Sequence, residues 1–289
     1  MRHMETEMDA TIARKMWRTL EPYHAMIYFV PDAKPIYERA GLTGRSMGYF
    51  ASRAAALGAV PADVVSATFY NFNPALVRGA IPEAWQRAAP DRIVAARLEA
   101  VDAALRRLLA DTVDGPAVSE AAALAREAST ACIPAGRPLY AAHAALAWPT
   151  EPHLALWQAV TLLREYRGDG HVAALLCEEV DGAESLVIHV ATGDGSAALL
   201  QATRGWSPEE WAAAAERLRR RGWLDDGGAL TDSGRASRDA VEARTDRLAL
   251  APWARLGAER CARLQELVRP LSKAISAAGT FAALSGARR

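Results

Sequence analysis

Cysteine is scarce in this chain: Cys132, Cys177 and Cys261 are the three in 289 residues, far apart and in alanine-rich surroundings. They show neither the paired spacing of a zinc site nor the density of a disulfide framework, and read as free thiols of a reducing cytoplasm. Neither sign of charge dominates. Lys plus Arg and Asp plus Glu both count 34, so the net charge is zero, and the basic excess typical of a nucleic-acid binder is missing. Aromatics make up only 7% and β-branched runs are short, which argues for a mainly helical fold. No apolar run approaches the ~20 residues that cross a bilayer, and no secretory apolar segment is present. The HExxH, P-loop, GxSxG and GxGxxG fingerprints are also missing, so zinc, nucleotide and serine-hydrolase chemistry have no residue basis. A histidine could ligate haem, since one neutral imidazole suffices, but no spacing calls for it. Cofactor and reaction stay open, and no metal site is expected. The opening residues 1–4, His3 among them, are polar and expected to be frayed.

What the chain does hold is a repeat. Arg78-Gly79-x-x-Pro82-Glu83-x-Trp85 returns as Arg204-Gly205-x-x-Pro208-Glu209-x-Trp211, 126 residues later. Upstream, Arg45-x-x-Gly48-x-x-Ala51 matches Arg167-x-x-Gly170-x-x-Ala173, and the stretch with His24 resembles the one with His143. Downstream, Ala100-Val101-Asp102-Ala103 matches Ala240-Val241-Glu242-Ala243, with an offset 14 residues longer. A period of this size is the mark of a duplicated structural unit, and half the chain's residues are apolar, enough for two cores.

The extra residues of the second copy are readable. Ser207-Pro208-Glu209-Glu210 is a helix start, with serine as N-cap, proline at the first position and acids in the first turn. Trp211, Ala215 and Leu218 follow at helical spacing, and the helix should stop at Gly222. Trp223 to Thr231 then reads as two short strands around a glycine turn, and Thr231-Asp232-Ser233-Gly234 opens another helix. Helix, hairpin, helix is a winged-helix ending. The first copy runs straight from Trp85 to a helix at Pro90 and reads as wingless.

The expected architecture is therefore mainly α: a tandem duplication of winged-helix-like units forming an internal pseudo-dimer, with a small β-hairpin wing in the second unit only. The units span 15–110 and 136–250. A linker and helix occupy 111–135, and a C-terminal helix with a tail occupies 251–289. Fusing two copies would bury their interface without the concentration dependence of a dimer.

The second unit resembles the MarR-type winged-helix regulators, through Trp206 to Leu218, Arg221-Gly222-Trp223-Leu224 and Leu230-Thr231-x-x-Gly234-Arg235. The whole chain also looks like a group of actinobacterial proteins, mostly of unknown function, known by a helix-turn-helix in this same region. The resemblance implies a fold; activity must come from a site. If this unit reads DNA, the helix from Ser207 enters the major groove N-terminus first. It would present Glu209, Glu210, Ala213 and Ala214, and its wing tip would be Asp225-Asp226. These repel phosphate or read little. Arg217, Arg220 and Arg221, the candidate DNA contacts, also suit a helix C-terminus through its dipole. Specific DNA binding is therefore not expected.

The alternative is a ligand between the units. Phe69, Tyr70, Asn71 and Phe72 stand where the second copy has Ala191 to Ser196, so one side would supply bulk and the other room. Tyr49 and Arg53, one helical turn apart, would join from the first unit, and Arg167 with His171 from the second. Arg78 and Arg204 are read as pairing with Glu83 and Glu209, and Asp169 as a helix cap. His24 sits at a repeated place, and His189 lies in an apolar run, as a core histidine or a ligand. Three functions follow: a cytoplasmic small-molecule-binding protein, sensor or enzyme; a MarR-like transcriptional regulator; or a protein-interaction scaffold. The expected partner is a small molecule, with no membrane contact, and the chain is a monomer or homodimer.

Overall fold

Proline sets many of the helix starts. Pro74, Pro90, Pro116, Pro138, Pro152 and Pro208 each occupy the first position of a helix, where the missing N–H costs nothing and the fixed φ is already helical. The computed structural model describes residues 8–193 and 195–282, so His3 and Asp194 lie outside the described residues, as does the side chain of Arg45. In chain order the helices are α1 (Thr11–Ala25), α2 (Ala33–Arg39), α3 (Gly44–Ala54), α4 (Ala62–Phe69), α5 (Pro74–Arg78), α6 (Glu83–Arg87), α7 (Pro90–Leu109) and α8 (Pro116–Ser129). There follow α9 (Pro138–Ala144), α10 (Pro152–Cys177), α11 (Gly182–Ala191), α12 (Ala197–Arg204), α13 (Pro208–Arg220), α14 (Asp232–Leu248), α15 (Ala251–Leu256) and α16 (Ala258–Ala277). The protein is mainly helical, as its composition implies.

Two apolar clusters hold these helices. The larger gathers α1, α3, α7, α8, the first half of α10, α15 and α16, from Ala13 to Ile275. The smaller joins the end of α10 to α11, α13 and α14 through Leu175, Val187, Leu218, Trp223 and Leu230. Helix α10, 26 residues long and thus about 39 Å, runs through both. The clusters do not follow a division near residues 111–135. There α8 lies in the larger core, packed on α10, α15 and α16, because Val118, Ala121, Leu124, Ala125 and Ala128 make it apolar at helical spacing.

Between α13 and α14 no strand forms among the described residues. A single antiparallel bridge joins Leu224 to Leu230. The Asp225 carboxylate accepts the Ala229 N–H at 2.9 Å and closes the turn. Thr231 then caps α14 by accepting the Gly234 N–H, so the backbone leaves the pairing after one step. The expected hairpin is reduced to this turn. The two RGxxPExW stretches also differ locally. Gly205 ends α12 in the left-handed region at φ 77°, whereas Gly79 after α5 is right-handed at φ −69°.

Candidate functional site

Helices α12 and α13 are joined by a three-residue turn, Gly205-Trp206-Ser207, whose left-handed glycine lets the chain reverse. Ser207 and Glu210 form a reciprocal capping box at the start of α13. The solvent face of α13 carries Glu209, Glu210, Ala212, Ala213, Glu216 and Arg220, while Ala214 is buried rather than exposed. The arginines near its end are spoken for. Arg217 pairs with Glu184 at 2.8 Å and with Asp181. Arg221 donates to the carbonyls of Glu178 and Glu179, closing the C-terminus of α10, and stacks on Trp223. Arg220 faces Glu216 at 4.0 Å. The surface that would meet a phosphate backbone is acidic at its leading end, and its cations are largely neutralised within the protein.

Residues 69–76 tie this helix-turn-helix to the rest of the molecule. The Asn73 N–H donates to the Arg204 carbonyl at 2.8 Å, and the Trp206 indole donates to the Asn71 carbonyl at 2.9 Å. The Asn73 amide donates to both Glu210 oxygens, at 3.1 and 2.9 Å. Tyr70 donates its hydroxyl to the Val180 carbonyl. Gly182 is required here, since a Cβ would fall on the Tyr70 carbonyl and 3.1 Å from the Asn71 Cα. Phe69 and Phe72 turn the other way, into an aromatic group with Tyr49 and Phe50. The Arg53 guanidinium lies 4.4 Å over the Phe69 ring, and that of Arg204 lies 4.6 Å over Phe72.

Behind this aromatic group lies a buried polar centre, built by α1, α3, α7, α9 and α10. Glu165, 1% exposed, accepts from Arg53 at 3.0 and 3.4 Å and from Arg164 at 2.9 Å. Burial alone would raise its carboxyl pKa, but the Arg164 and Arg53 charges outweigh that and hold it well below the usual range. His24 is stacked on Trp157 at 5.7 Å, with Nδ1 at 3.0 Å from the Thr161 hydroxyl and Nε2 at 3.1 Å from the Tyr28 hydroxyl. Thr161 gives its own proton to the Trp157 carbonyl, so His24 Nδ1 must be the donor to Thr161, and a neutral Nε2 accepts from Tyr28. Burial first, then the Arg164 charge, keeps the imidazole neutral by holding its pKa well below the ordinary histidine value. Arg97 completes the chain by donating to Tyr28 at 3.0 Å and to the Ser52 carbonyl at 2.8 Å.

His143 shares this centre but not its bonds. Its ring is 2% exposed; it reaches the Arg53 backbone closely enough for that contact to raise its pKa, but neither nitrogen attains good hydrogen-bond geometry. Burial and then the Arg97 charge push its pKa down to about 3. A buried polar atom left unmade costs about 1–3 kcal/mol, and at least one nitrogen of this ring is left so. The centre is closed. Beside it, a cavity of about 10 Å³ lined by Trp17, Glu21, Arg164, Arg167 and Trp253 has room for one water at most. An open groove of about 270 Å³ lies elsewhere, between α11, α13 and the turn at Leu224.

The structure thus brings together His24, Tyr49, Arg53, Phe69 and Phe72, and separates the others. Tyr70 and Asn71 face the helix-turn-helix. Arg167 turns to α14, pairing with Asp246 at 2.8 Å, and His171 Nδ1 lies 3.0 Å from the Thr245 hydroxyl. Both are held there because α14 presents its polar face to α10. His189 is exposed on the last turn of α11, beside Gly195, because the apolar run Leu186–Ile188 uses the opposite face. Gly193 borders open space, while Ala191 lines the open groove beside α13. Asp169 is mid-helix and caps α9 instead, accepting the Tyr140 N–H at 2.9 Å. Arg78 pairs with Asp63, and Glu83 with Arg87. Sequence reasoning missed Arg97, Glu165, Tyr28 and Thr161. The signal was a charge on an apolar helical stripe, as with Arg97 among Ile93, Ala96, Ala100 and Val101.

No curated protein and no solved structure matches the chain. A family model does: that of a helix-turn-helix family, over residues 13–282. With a match across nearly its whole length and a glycine-turned helix pair at α12–α13, the chain belongs to this helix-turn-helix family.

Proposed function

We propose that this protein binds a small molecule in the buried centre around His24, Arg53 and His143, which must open to admit it, on a helix-turn-helix scaffold that does not read DNA sequence. The observation that carries the reading is His143, an almost fully buried imidazole whose one polar contact is a loose one to the Arg53 backbone, outside good hydrogen-bond geometry. Buried polar groups are nearly always satisfied, so an exception points to something the site is built to take. The centre draws α1, α3 and α7 from the first sequence unit and α9 and α10 from the second. His24 and His143, matching positions of the proposed duplication, meet in it. That placement supports a pseudo-dimer whose junction became one asymmetric site. Native mass spectrometry of the purified chain should show a bound small species that His143→Leu loses. A bare chain mass for both proteins, with melting unchanged by a small-molecule cell extract, would end this reading.

A second reading, a DNA-binding regulator, is favoured by the α12–turn–α13 geometry and the solvent-facing side of α13. A tight, sequence-selective complex with genomic fragments at physiological salt would establish it and displace the first.

A further inference from the structure

The open groove beside α13, about 270 Å³, has walls on three sides. Val187 and Val190 come from α11, Trp211, Ala215 and Arg219 from α13, and Leu224 from the turn. The α13 residues are spaced by four, so they form one stripe along the groove. Trp211 and Arg219 stand two helical turns apart, roughly 12 Å. Between them Ala215 is small and half-buried, which keeps the floor low, and the facing wall is aliphatic. The polar end is Arg219, and it is loosely held. Its Nε donates to the Asp225 carbonyl at 3.3 Å. Its Nη1 lies 3.6 Å from Glu216, beyond hydrogen-bond reach, and Glu216 also faces Arg220 at 4.0 Å. Neither Nη of Arg219 makes a hydrogen bond among the described residues. The end-on fork of Nη1–H and Nη2–H is therefore open to an acceptor. Two arginines beside one glutamate leave a positive charge at this end, while the Asp225 carboxylate accepts the Ala229 N–H.

We infer that this groove is a second binding site, taking a medium-length aliphatic carboxylate with its chain over Ala215, its tail on the Trp211 ring and its carboxylate on Arg219. The site shares no residue with the buried centre. An extended chain advances roughly 1.2 Å per bond, so an eight-carbon acid, roughly 10 Å long, fits between the ring and the guanidinium. The volume lies just under the roughly 300–1,000 Å³ of small-molecule sites. A protein partner fits less well. Glu209, Glu216, Asp225 and Asp226 are exposed around the groove, so the apolar surface ends at its edge, unlike the broad contact, roughly 1,000 Å² or more, of a stable interface.

The test titrates the full chain with octanoate, 1-octanol and butanoate, following heat by calorimetry and the Trp211 Nε1–H resonance by NMR, assigned through Trp211→Phe. Octanoate is expected to bind saturably at one site and to move that resonance. It should bind at least about tenfold tighter than octanol, through the charge, and than butanoate, through the extra buried CH₂ groups. Ala215→Leu raises the floor and should abolish binding with melting unchanged. Arg219→Gln, on the surface, should weaken octanoate about tenfold and leave octanol as it was, and it decides independently if Ala215→Leu fails to fold. Equal affinity for octanol and octanoate, or for butanoate and octanoate, would overturn the assignment. So would linear, unsaturable uptake. Octanoate binding that survives Ala215→Leu but is lost in His143→Leu would place the ligand in the buried centre, and this inference alone would fall. Self-association that Ala215→Leu abolishes, with no octanoate bound, would make the groove a contact between copies and equally refute it.

Discussion

Asn73→Ala tests how firmly residues 69–76 hold the helix-turn-helix. Asn73 is nearly buried and has three roles. Its Oδ1 caps α5 by accepting the Ala75 N–H at 2.9 Å; losing such a cap costs about 1 kcal/mol. Its Nδ2 donates to both oxygens of Glu210. A hydrogen bond to a charged group contributes about 1.5–3 kcal/mol, and the low end applies because Glu210 is exposed to solvent. Its backbone N–H to the Arg204 carbonyl survives the substitution. The expected loss is therefore about 2–2.5 kcal/mol. Glu210 keeps its bond to the Ser207 N–H at 2.9 Å, so α13 itself should not unravel. The damage falls on the junction. Urea unfolding followed by the tryptophans of the smaller core would measure the loss, and amide hydrogen exchange should speed up at residues 71–73 and 204–206. A double-mutant cycle with Glu210→Ala should return a coupling of about 1 kcal/mol. A loss under about 0.5 kcal/mol with no coupling would show that the segment merely touches the helix pair.

Two further outcomes follow from the same geometry. Gly182→Ala drives a Cβ into the Tyr70 carbonyl, backbone against backbone with no side chain to yield. It should cost about 3 kcal/mol or more in urea unfolding, at the upper end of overpacking, whereas a cost under about 1 kcal/mol would mean that the segment yields freely. The third concerns pH. His143 has a folded pKa of about 3, below its unfolded value, owing to burial and the Arg97 charge. Its contribution is fully present above about pH 6.5 and is lost as pH falls toward 3. Between pH 6 and 5 that amounts to about 1.4 kcal/mol per pH unit, or one proton. His24, also held low by burial, acts in the same direction. Asp169 acts in the opposite one, because burial raises its pKa to about 6. Its carboxyl gains a proton in the folded state as pH falls through that value, which restores stability. The clean readout is therefore a difference: His143→Leu should flatten the fall in stability below pH 6 by about one proton, and an unchanged slope would show that His143 protonates freely in the folded protein.

Much of the local structure was written in the sequence, because local rules decide it. Proline at the first helical position, serine and aspartate caps, and the left-handed glycine of Gly205 are set by a few bonds within one turn. So α13, the turn after it and the start of α14 fall where the residues place them. Net charge zero, Glu209 and Glu210 at the helix start, and Asp225-Asp226 at the turn are the sequence features on which the proposal sets sequence-specific DNA contact aside. The side-chain pairings were not legible. Tyr70 and Asn71 differ from Phe69 and Phe72 by one or two places in the chain, yet a left-handed turn at Tyr70, φ 53°, sends them to opposite sides. Arg167 and Arg53 look alike in sequence; only the packing of α14 on one side of α10 and α3 on the other gives the first Asp246 and the second Glu165. The helical pattern could say that Arg97 faces inward, but not that no acid would be waiting for it. Burial is a property of one helix face and can be read from spacing, whereas the balance of buried charge is a sum over five helices from distant parts of the chain, and it exists only once they have met.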